Sequence, residues 1–230
     1  MKNHKNISKY EKAVVLFSGG QDSTTCLAYA LHKFNSVEAI GFNYGQRHNI
    51  ELIQAQKIAD KLNVQFTVIN LAVNEEWESS TLLNDSVIIA DTTIEYPNSF
   101  VPGRNLIFLN RAAIYAYKNN ISNLVIGACQ TDFSGYPDCR NEFIGSAERV
   151  LNLAFSFPFV ICAPLMWLSK ADTIKMMVDL NHLELLKETH TCYYGKRPAC
   201  GKCPSCLLRL KGFRDAGKKD PLKYVSSFNT

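Results

Sequence analysis

The amino-acid sequence lacks the features of secreted and membrane-bound proteins. Residues 1–11 are polar and contain no apolar run, so we expect no secretory signal. No stretch approaches the ~18 consecutive apolar residues that a transmembrane helix needs. The sequence also has no internal repeat and no low-complexity segment. We therefore expect a soluble, cytoplasmic protein whose 230 residues form one large α/β domain, alone or with a small appendage.

Two common phosphate-binding motifs are missing as well. A Walker A loop needs a lysine directly after its last glycine, but Gln21 follows Gly20. A G-x-G-x-x-G dinucleotide fingerprint is also absent. These absences exclude two large classes of nucleotide-binding protein.

Residues 13–25 nevertheless have the order of a phosphate-binding turn. Five apolar residues predict a buried strand, and a glycine pair and a helix start follow it. This order directs backbone N–H groups and the positive end of a helix dipole towards an anion. Glycine at both positions removes the Cβ atoms that would keep a phosphate away. We expect the side-chain oxygens of Asp22, Ser23 and Thr24 to cap the helix.

Disulfide bonds are not expected, because cytosolic proteins rarely contain them. Of the eight cysteines, four fall within fifteen residues near the end of the chain. These are Cys192, Cys200, Cys203 and Cys206. Four thiolates arranged tetrahedrally are the ligand set of a structural zinc ion, with no coordination position left for a substrate. We expect one zinc ion per chain, holding a C-terminal helix at about 204–216 against the α/β body.

Three alternatives for this cysteine cluster stay open at the level of sequence. A [4Fe–4S] cluster also takes four cysteines, so their number does not identify the metal. A redox-active C-x-x-C motif would leave two of the cysteines without a role. His190 is an alternative ligand, although a histidine two residues from a ligand is more often a surface residue.

The hydrophobic pattern predicts strands that alternate with helices. The strands are expected at 13–17, 37–42, 65–69, 124–128 and 160–163. The helices are expected at 22–33, about 52–62, 105–117, 140–153 and 204–216, and one more starts at a capping box of Ser169 and Asp172. Residues 71–100 show no period and are expected to form a long loop or lid. The alternation predicts a parallel sheet covered by helices on both faces.

In such a sheet, ligands bind at the carboxyl ends of the strands. Four polar segments are expected at that edge, at 18–23, 43–48, 101–105 and 130–132. Arg104 lies in the third of them, just before a helix, and a guanidinium group suits a phosphate or a carboxylate. Each segment alone is typical of an ordinary capped loop, but their convergence on one edge indicates a binding site.

The run Ser-Gly-Gly-Gln-Asp-Ser at 18–23 resembles the S-G-G-x-D-S pyrophosphate loop of the ATP pyrophosphatases. Further segments narrow the resemblance to the 7-cyano-7-deazaguanine synthase family. They are Tyr-Gly-Gln-Arg-His at 44–48, Val-Pro-Gly-Arg-Asn at 101–105, Asp-Phe-Ser-Gly-Tyr-Pro-Asp-Cys-Arg at 132–140 and the four clustered cysteines. The resemblance implies a doubly wound five-stranded parallel sheet of the adenine nucleotide alpha-hydrolase type in residues 1–186. It also implies a small helical zinc-binding subdomain, residues 187–230, packed on that sheet.

The resemblance also implies an activity. Members of this family convert 7-carboxy-7-deazaguanine, ammonia and ATP into 7-cyano-7-deazaguanine, AMP and pyrophosphate, by way of an adenylated carboxylate and an adenylated amide. The implied catalytic residues are Ser18, Asp22, Ser23 and Arg104. ATP, with Mg²⁺, is expected against Leu16, Phe17, Ser18, Gly19, Gly20, Gln21, Asp22, Ser23, Thr24, Thr25 and Cys26. The implied substrate contacts are Gln46, Arg47, Asp132, Tyr136 and Asp138, with a turn-capping role as the alternative for Asp138.

A tRNA-modifying enzyme with the same loop, a thiolase or a lysidine-type ligase, is the alternative function. The formal net charge is only +4, but residues 187–230 hold ten Lys and Arg residues against three acids, and such a segment suits RNA. The same excess of positive charge is explained if it compensates the net charge of about −2 that a zinc ion held by four thiolates carries. The ligase interpretation predicts small-molecule partners only, no nucleic acid and no membrane, in a homodimer. A non-catalytic nucleotide-binding module would leave the catalytic loop unexplained.

Overall fold

A computed structural model of the chain describes residues 10–46, 49–71, 100–131 and 136–225. Five parallel strands form one sheet in the order β3-β2-β1-β4-β5. The strands are β1 (Tyr10–Leu16), β2 (Phe34–Asn43), β3 (Gln65–Asn70), β4 (Asn123–Val125) and β5 (Val160–Cys162). The predicted five-stranded parallel sheet is therefore confirmed.

Six α-helices lie within the described ranges. They are α1 (Gln21–Lys33), α2 (Ile50–Leu62), α3 (Arg104–Lys118), α4 (Asn141–Phe155), α5 (Lys170–Asp179) and α6 (Pro204–Asp215). Two short 3₁₀ helices, Pro137–Cys139 and Leu183–Lys187, come before α4 and after α5. None of these helices is long and apolar enough to cross a membrane. The loop or lid predicted at 71–100 lies almost entirely outside the described residues, in 72–99.

The central strand explains why helices cover both faces of the sheet. Successive side chains of a strand point to opposite faces. Ala13 and Val15 pack in a core with α1 and α2, whereas Val14 and Leu16 pack in a second core with α3 and α4. All four side chains are buried, as in a parallel sheet with no solvent-exposed face. The sheet is doubly wound, as the sequence predicted.

The strand order reverses at β1, which has β2 on one side and β4 on the other. At such a switch point, the connections after the two neighbouring strands diverge and leave a crevice at the carboxyl edge. The turn after β1 lies close to the chain after β4, because a Cβ on Gly127 would be 3.4 Å from the backbone nitrogen of Ser23. The crevice therefore lies beside the glycine turn that the sequence indicated.

The predicted cap of α1 is wrong. The helix begins at Gln21, one residue earlier than expected, so the N-cap is Gly20 and no side chain caps it. Asp22, Ser23 and Thr24 therefore lie inside the first turn. The hydroxyls of Ser23 and Thr24 donate to the Gly20 carbonyl oxygen at 3.2 and 2.8 Å and cap no N–H group of the helix.

The predicted starts of α3 and α5 can be compared with the structure, and that of α3 needs correction. Arg104 is the first residue of α3 and does not precede the helix. Of the predicted capping box at the start of α5, the Ser169 cap is confirmed, because Ser169 Oγ accepts a hydrogen bond from the Asp172 backbone N–H at 3.2 Å. The Asp172 carboxylate accepts from the Ser169 hydroxyl at 2.6 Å.

Candidate active site and metal centre

We refer to residues 18–23, which run from the turn after β1 into the first turn of α1, as the phosphate loop. Its two serine hydroxyls hold its ends together, because Ser18 Oγ and Ser23 Oγ are 3.1 Å apart. Ser23 Oγ also accepts from the Ser18 backbone N–H at 3.3 Å. These bonds fix the loop without a ligand, directly before the N-terminus of α1, where a helix favours negative charge.

The two glycines of the phosphate loop are not equivalent. Gly19 has φ +78°, and a Cβ there would lie 2.6 Å from the Glu51 carbonyl oxygen and 2.7 Å from the Ala55 nitrogen, both in α2. Gly20 has φ −77°, and the nearest atoms to a Cβ there lie at 3.5 and 3.6 Å. Packing within the protein therefore requires glycine at position 19 but not at position 20.

The substitution Gly19→Ala is expected to destabilise the fold by at least about 2 kcal/mol. A left-handed backbone costs a non-glycine residue about 1–2 kcal/mol, and the clash with the α2 backbone adds to that cost. Gly20→Ala is the matched control and should unfold close to the wild-type temperature, so that it reports on phosphate approach alone. Calorimetric unfolding of both variants checks this, and equal losses of stability would contradict it.

Asp22 pairs with a residue that the sequence analysis missed. Lys170 Nζ lies 2.6 Å from Asp22 Oδ2, and the two side chains are 15% and 28% exposed, respectively. The other carboxylate oxygen, Asp22 Oδ1, is buried and has no hydrogen-bond partner among the described residues. Lys170 is the first residue of α5, where a cation opposes the helix dipole. Lysine is unfavourable at the start of a capped helix, and this was the one sequence signal that Lys170 has a partner elsewhere in the fold.

A second group of side chains surrounds Arg104 at the same edge of the sheet. We call Tyr44, Glu51, Arg104, Tyr136 and Asp138 the Arg104 group. Burial alone would lower the pKa of Arg104, but the nearby tyrosines and Asp138 raise it overall, so the guanidinium stays charged. Its Nε is buried and has no hydrogen-bond partner in the described part of the chain. A buried guanidinium with an unpartnered N–H suits an anionic group of a ligand.

Glu51, in the first turn of α2, is a member of this group that sequence reasoning also missed. Burial raises the pKa of Glu51 to about 7, and the Arg104 guanidinium opposes that rise. Burial also raises the pKa of Tyr44, whose hydroxyl accepts a hydrogen bond from Arg104. The only sequence signal for a role of Glu51 was its position, as an acidic residue just after the polar segment 43–48.

Two of the predicted substrate-binding residues make hydrogen bonds within the protein. Gln46 closes the turn after β2, because its Oε1 accepts from the Tyr44 backbone N–H at 2.9 Å and its Nε2 donates to the Phe42 carbonyl at 3.2 Å. Asp138 Oδ2 accepts from the Asn105 backbone N–H at 3.0 Å, which holds the N-terminus of α3. The Asn105 side chain donates in turn to the Asp138 carbonyl at 2.9 Å.

Of the other three predicted substrate contacts, the structure describes Tyr136 but not Arg47 or Asp132. The Tyr136 ring stacks on Phe100, with ring centroids 5.5 Å apart, next to Arg104. The structure therefore brings Tyr136 and Asp138 together with Arg104, and it places Gln46 in the neighbouring turn.

The four clustered cysteines form a compact buried site. The sulfur atoms of Cys192, Cys200, Cys203 and Cys206 all lie within 4.8 Å of one another. Tetrahedral zinc has Zn–S distances of about 2.3 Å, which separates its sulfur ligands by roughly 3.8 Å. The Cys200 and Cys206 sulfurs are 3.9 Å apart, and two backbone N–H groups point to Cys200 Sγ at 3.3 and 3.4 Å. The donor set therefore fits a four-thiolate metal ion.

His190 is not part of this sulfur cluster but connects it to the phosphate loop. Its ring Nε2 lies 2.9 Å from the Cys192 carbonyl oxygen. Its backbone N–H donates to the Gly19 carbonyl oxygen at 3.0 Å. A single residue thus contacts both the metal site and the glycine turn, which makes His190 a structural link and gives it no place among the ligands.

A buried arginine fixes the same region. Arg209, in α6, is 1% exposed and forms a bidentate pair with Asp220, at 2.7 and 2.8 Å. Its remaining N–H groups donate to the Thr189 hydroxyl at 2.6 Å and to the Leu186 carbonyl at 2.8 Å. The charge of Arg209 is therefore neutralised inside the fold, whereas the sequence analysis counted Arg209 in a basic segment suited to RNA.

These features define a class of protein. A doubly wound parallel sheet with a Ser-Gly-Gly-Gln-Asp-Ser turn after its central strand is an ATP pyrophosphatase-type domain, and here a four-cysteine site lies beside it. The chain belongs to the family described as "Queuosine biosynthesis protein QueC", whose profile matches residues 12–217.

Comparison with individual proteins gives the following similarities. The chain is 47% identical over 209 residues to 7-cyano-7-deazaguanine synthase of Bacillus subtilis (strain 168), a match that covers 90% of this chain and 95% of that protein. Among solved structures, a 4-thiouridine synthetase in complex with RNA and ATP has a TM-score of 0.49 and 13% identity, over 90% of this chain and 50% of that one. The U34-tRNA thiolase NcsA from Methanococcus maripaludis, with its [4Fe-4S] cluster, has a TM-score of 0.44 and 15% identity, over 90% and 68% of the two chains.

Proposed function

We propose that the chain is an ATP-dependent carbon–nitrogen ligase that converts 7-carboxy-7-deazaguanine and ammonia into 7-cyano-7-deazaguanine, with release of AMP and pyrophosphate. The observation that carries this proposal is the 47% identity to a 7-cyano-7-deazaguanine synthase across 95% of its length. The phosphate loop and the Arg104 group support it, because both lie at the carboxyl edge of the sheet, where an ATP and an acid would have to meet.

The phosphate loop would bind the phosphates of ATP. The N–H groups at the start of α1 and the hydroxyls of Ser18 and Ser23 are the expected donors. Leu16, Phe17, Thr25 and Cys26 are buried and would shape the loop from behind, through packing and backbone atoms. Asp22 Oδ1, buried and unpartnered among the described residues, fits Mg²⁺, which would neutralise phosphate charge when bound.

The proposed reaction uses ATP twice on one carbon atom. A carboxylate is a poor acyl donor, and transfer of AMP to its oxygen creates a good leaving group. Ammonia then displaces AMP and gives the amide. AMP transfer to the amide oxygen allows that oxygen to leave in turn, which gives the nitrile. Arg104, through an Nε–H that has no partner among the described residues, would stabilise the negative charge that the carboxylate and the α-phosphate bring together.

Recognition of the deazaguanine would fall to the side chains around Arg104. Carboxylates accept hydrogen bonds from ring N–H and amino groups, which makes Asp132 and Asp138 the proposed partners of the base edge. Tyr136, Gln46 and Arg47 are the further proposed substrate contacts. Because Asp138 also holds the N-terminus of α3, its substitution should affect both substrate binding and the position of Arg104.

The metal is proposed to be a structural zinc ion, in a subdomain of residues 187–230 packed on residues 1–186. The four sulfur positions support this assignment, as does the packing of α6 against α5 and of Phe213 against α1. Thiolate ligands must stay reduced, which is consistent with a cytoplasmic location. We also propose a homodimer, because α3 and α4 expose apolar side chains, with Val150 56% and Leu153 84% exposed.

Activity is expected to need no tRNA and to survive ribonuclease treatment. An RNA enzyme depends on phosphate contacts, but part of the charge of the basic segment is used within the protein. Arg209 is buried against Asp220, and Lys211 pairs with Asp215 on the surface. ATP should be consumed only when the deazaguanine acid or its amide is present. Replacing Lys218 and Lys219 with glutamine should leave turnover within about threefold, under 1 kcal/mol of barrier. ATP consumption triggered by tRNA instead of the acid would favour the thiolase or lysidine-type alternative.

A further inference from the structure

Glu51, in the first turn of α2, connects the phosphate loop to the rest of the Arg104 group. The Glu51 backbone packs directly on the loop, since a Cβ on Gly19 would lie 2.6 Å from the Glu51 carbonyl oxygen. The Glu51 side chain interacts electrostatically with Arg104, from α3, and with Tyr44, from the end of β2. Glu51 therefore lies next to both halves of the proposed site, the half for ATP and the half for the acid.

The proposed reaction needs a proton acceptor at one particular step. When the adenylated amide, R–C(=NH)–O–AMP, becomes the nitrile, the N–H bond and the C–O bond both break. The electrons of the N–H bond form the third C–N bond, and AMP leaves with the electrons of the C–O bond. The proton must pass to a base. The earlier attack of ammonia and the adenylation of the amide oxygen each produce a strongly acidic, positively charged nitrogen, which can lose its proton to water.

We propose that the Glu51 carboxylate accepts the proton of the adenylated amide as AMP departs, and later releases this proton to solvent. The inference rests on the ligase function proposed above. Arg104 and Tyr44 serve as the neighbours of this base: the guanidinium keeps part of the Glu51 population ionised in a half-buried position, and Tyr44 stays neutral. Among the described residues, Asp22 offers a second carboxylate, within the phosphate loop itself, but it pairs with Lys170.

The titration of Glu51 is consistent with this role. Burial raises the pKa of Glu51 to about 7, so that carboxylate and carboxylic acid coexist at neutral pH. A base works best when its pKa is near the working pH, and a positioned base contributes about 10²–10⁴-fold to a rate. Only the ionised form can accept a proton. The rate of nitrile formation should therefore rise with pH through about 7 and then become constant.

The test compares two half-reactions in wild type and in Glu51→Gln, each with saturating ATP. Starting from the amide, Glu51→Gln should form nitrile at least 100-fold more slowly, with the rise through neutral pH lost. Starting from the carboxylate, it should still release AMP and accumulate the amide. Glu51→Asp should recover part of the nitrile rate. Asp60→Asn, on the exposed side of the same helix, is the control and should match wild type in both reactions.

The remaining outcomes decide between this role and a structural one. Glu51→Gln should melt no lower than wild type at pH 8, because burial penalises the ionised carboxyl. A nitrile rate within about threefold of wild type would overturn the proposal. So would an equal loss in both half-reactions with a raised KM for ATP, which would mean that Glu51 only positions the loop. A wild type that converts neither substrate would instead refute the ligase function itself.

Discussion

The variant Asp22→Ala is expected to form AMP and pyrophosphate at least about 10³-fold more slowly than wild type, which corresponds to about 4 kcal/mol of barrier. Asp22 lies in the first turn of α1 at the phosphate loop, with one carboxylate oxygen on Lys170 and the other buried without a partner among the described residues. The alanine removes the negative group best placed to bind a cation that accompanies ATP. AMP and pyrophosphate are measured together with the melting temperature.

Glu142→Ala is the matched control for Asp22→Ala. Glu142 also lies in the first turn of a helix, α4, but its side chain is exposed. The control should keep wild-type turnover, and Asp22→Ala should keep a folded structure, because only one ion pair is lost. Turnover above a tenth of wild type in Asp22→Ala would contradict the assigned role of this carboxylate. Release of ADP and phosphate by wild type would contradict the whole pyrophosphatase assignment.

The second large effect is expected at the metal site. Cys206→Ser should lose the metal and lower the free energy of unfolding by more than about 4 kcal/mol, because a structural metal contributes directly to folding. Cys206 is fully buried among the other three ligands. In the variant that is still folded, the affinity for ATP should fall as well. The reason is that His190 joins the Cys192 carbonyl to the Gly19 carbonyl of the phosphate loop. Metal analysis, calorimetry and ATP titration measure these effects separately.

The control for Cys206→Ser is Cys129→Ser. Cys129 lies after β4, outside the sulfur cluster, and should be replaceable without loss of metal. Wild type should be colourless and contain one zinc ion per chain. A brown protein that absorbs near roughly 400 nm and contains iron would contradict the zinc assignment and favour the thiolase alternative.

The parts of the fold that follow from local pattern could be predicted. Short apolar runs that alternate with helical segments located all five strands. The cap formed by Ser169 located the start of α5. The cap of α1, expected from the side-chain oxygens of Asp22, Ser23 and Thr24, was predicted wrongly because the residue at which the helix begins depends on the loop backbone. With Gly20 extended, the helix begins at Gln21, and the nearby hydroxyls turn back to the Gly20 carbonyl.

The parts of the site that depend on distant contacts could not be predicted. Lys170 and Asp22 are 148 positions apart, and nothing in either local sequence specifies the pair. Gly19 and Gly20 are identical in sequence, yet only Gly19 has a positive φ and the α2 backbone behind it. Glu51 reads as an ordinary acidic residue in a first turn until the fold surrounds it with Arg104 and Tyr44.

The central claim is that each oxygen of one carboxylate leaves on a separate AMP molecule. It is tested most directly by mass spectrometry after turnover of 7-carboxy-7-deazaguanine labelled with ¹⁸O in both carboxylate oxygens. We predict two AMP molecules for each nitrile, each with one ¹⁸O, and unlabelled pyrophosphate. Label in inorganic phosphate, a single AMP per product, or AMP formed only when tRNA is added would contradict the proposed function.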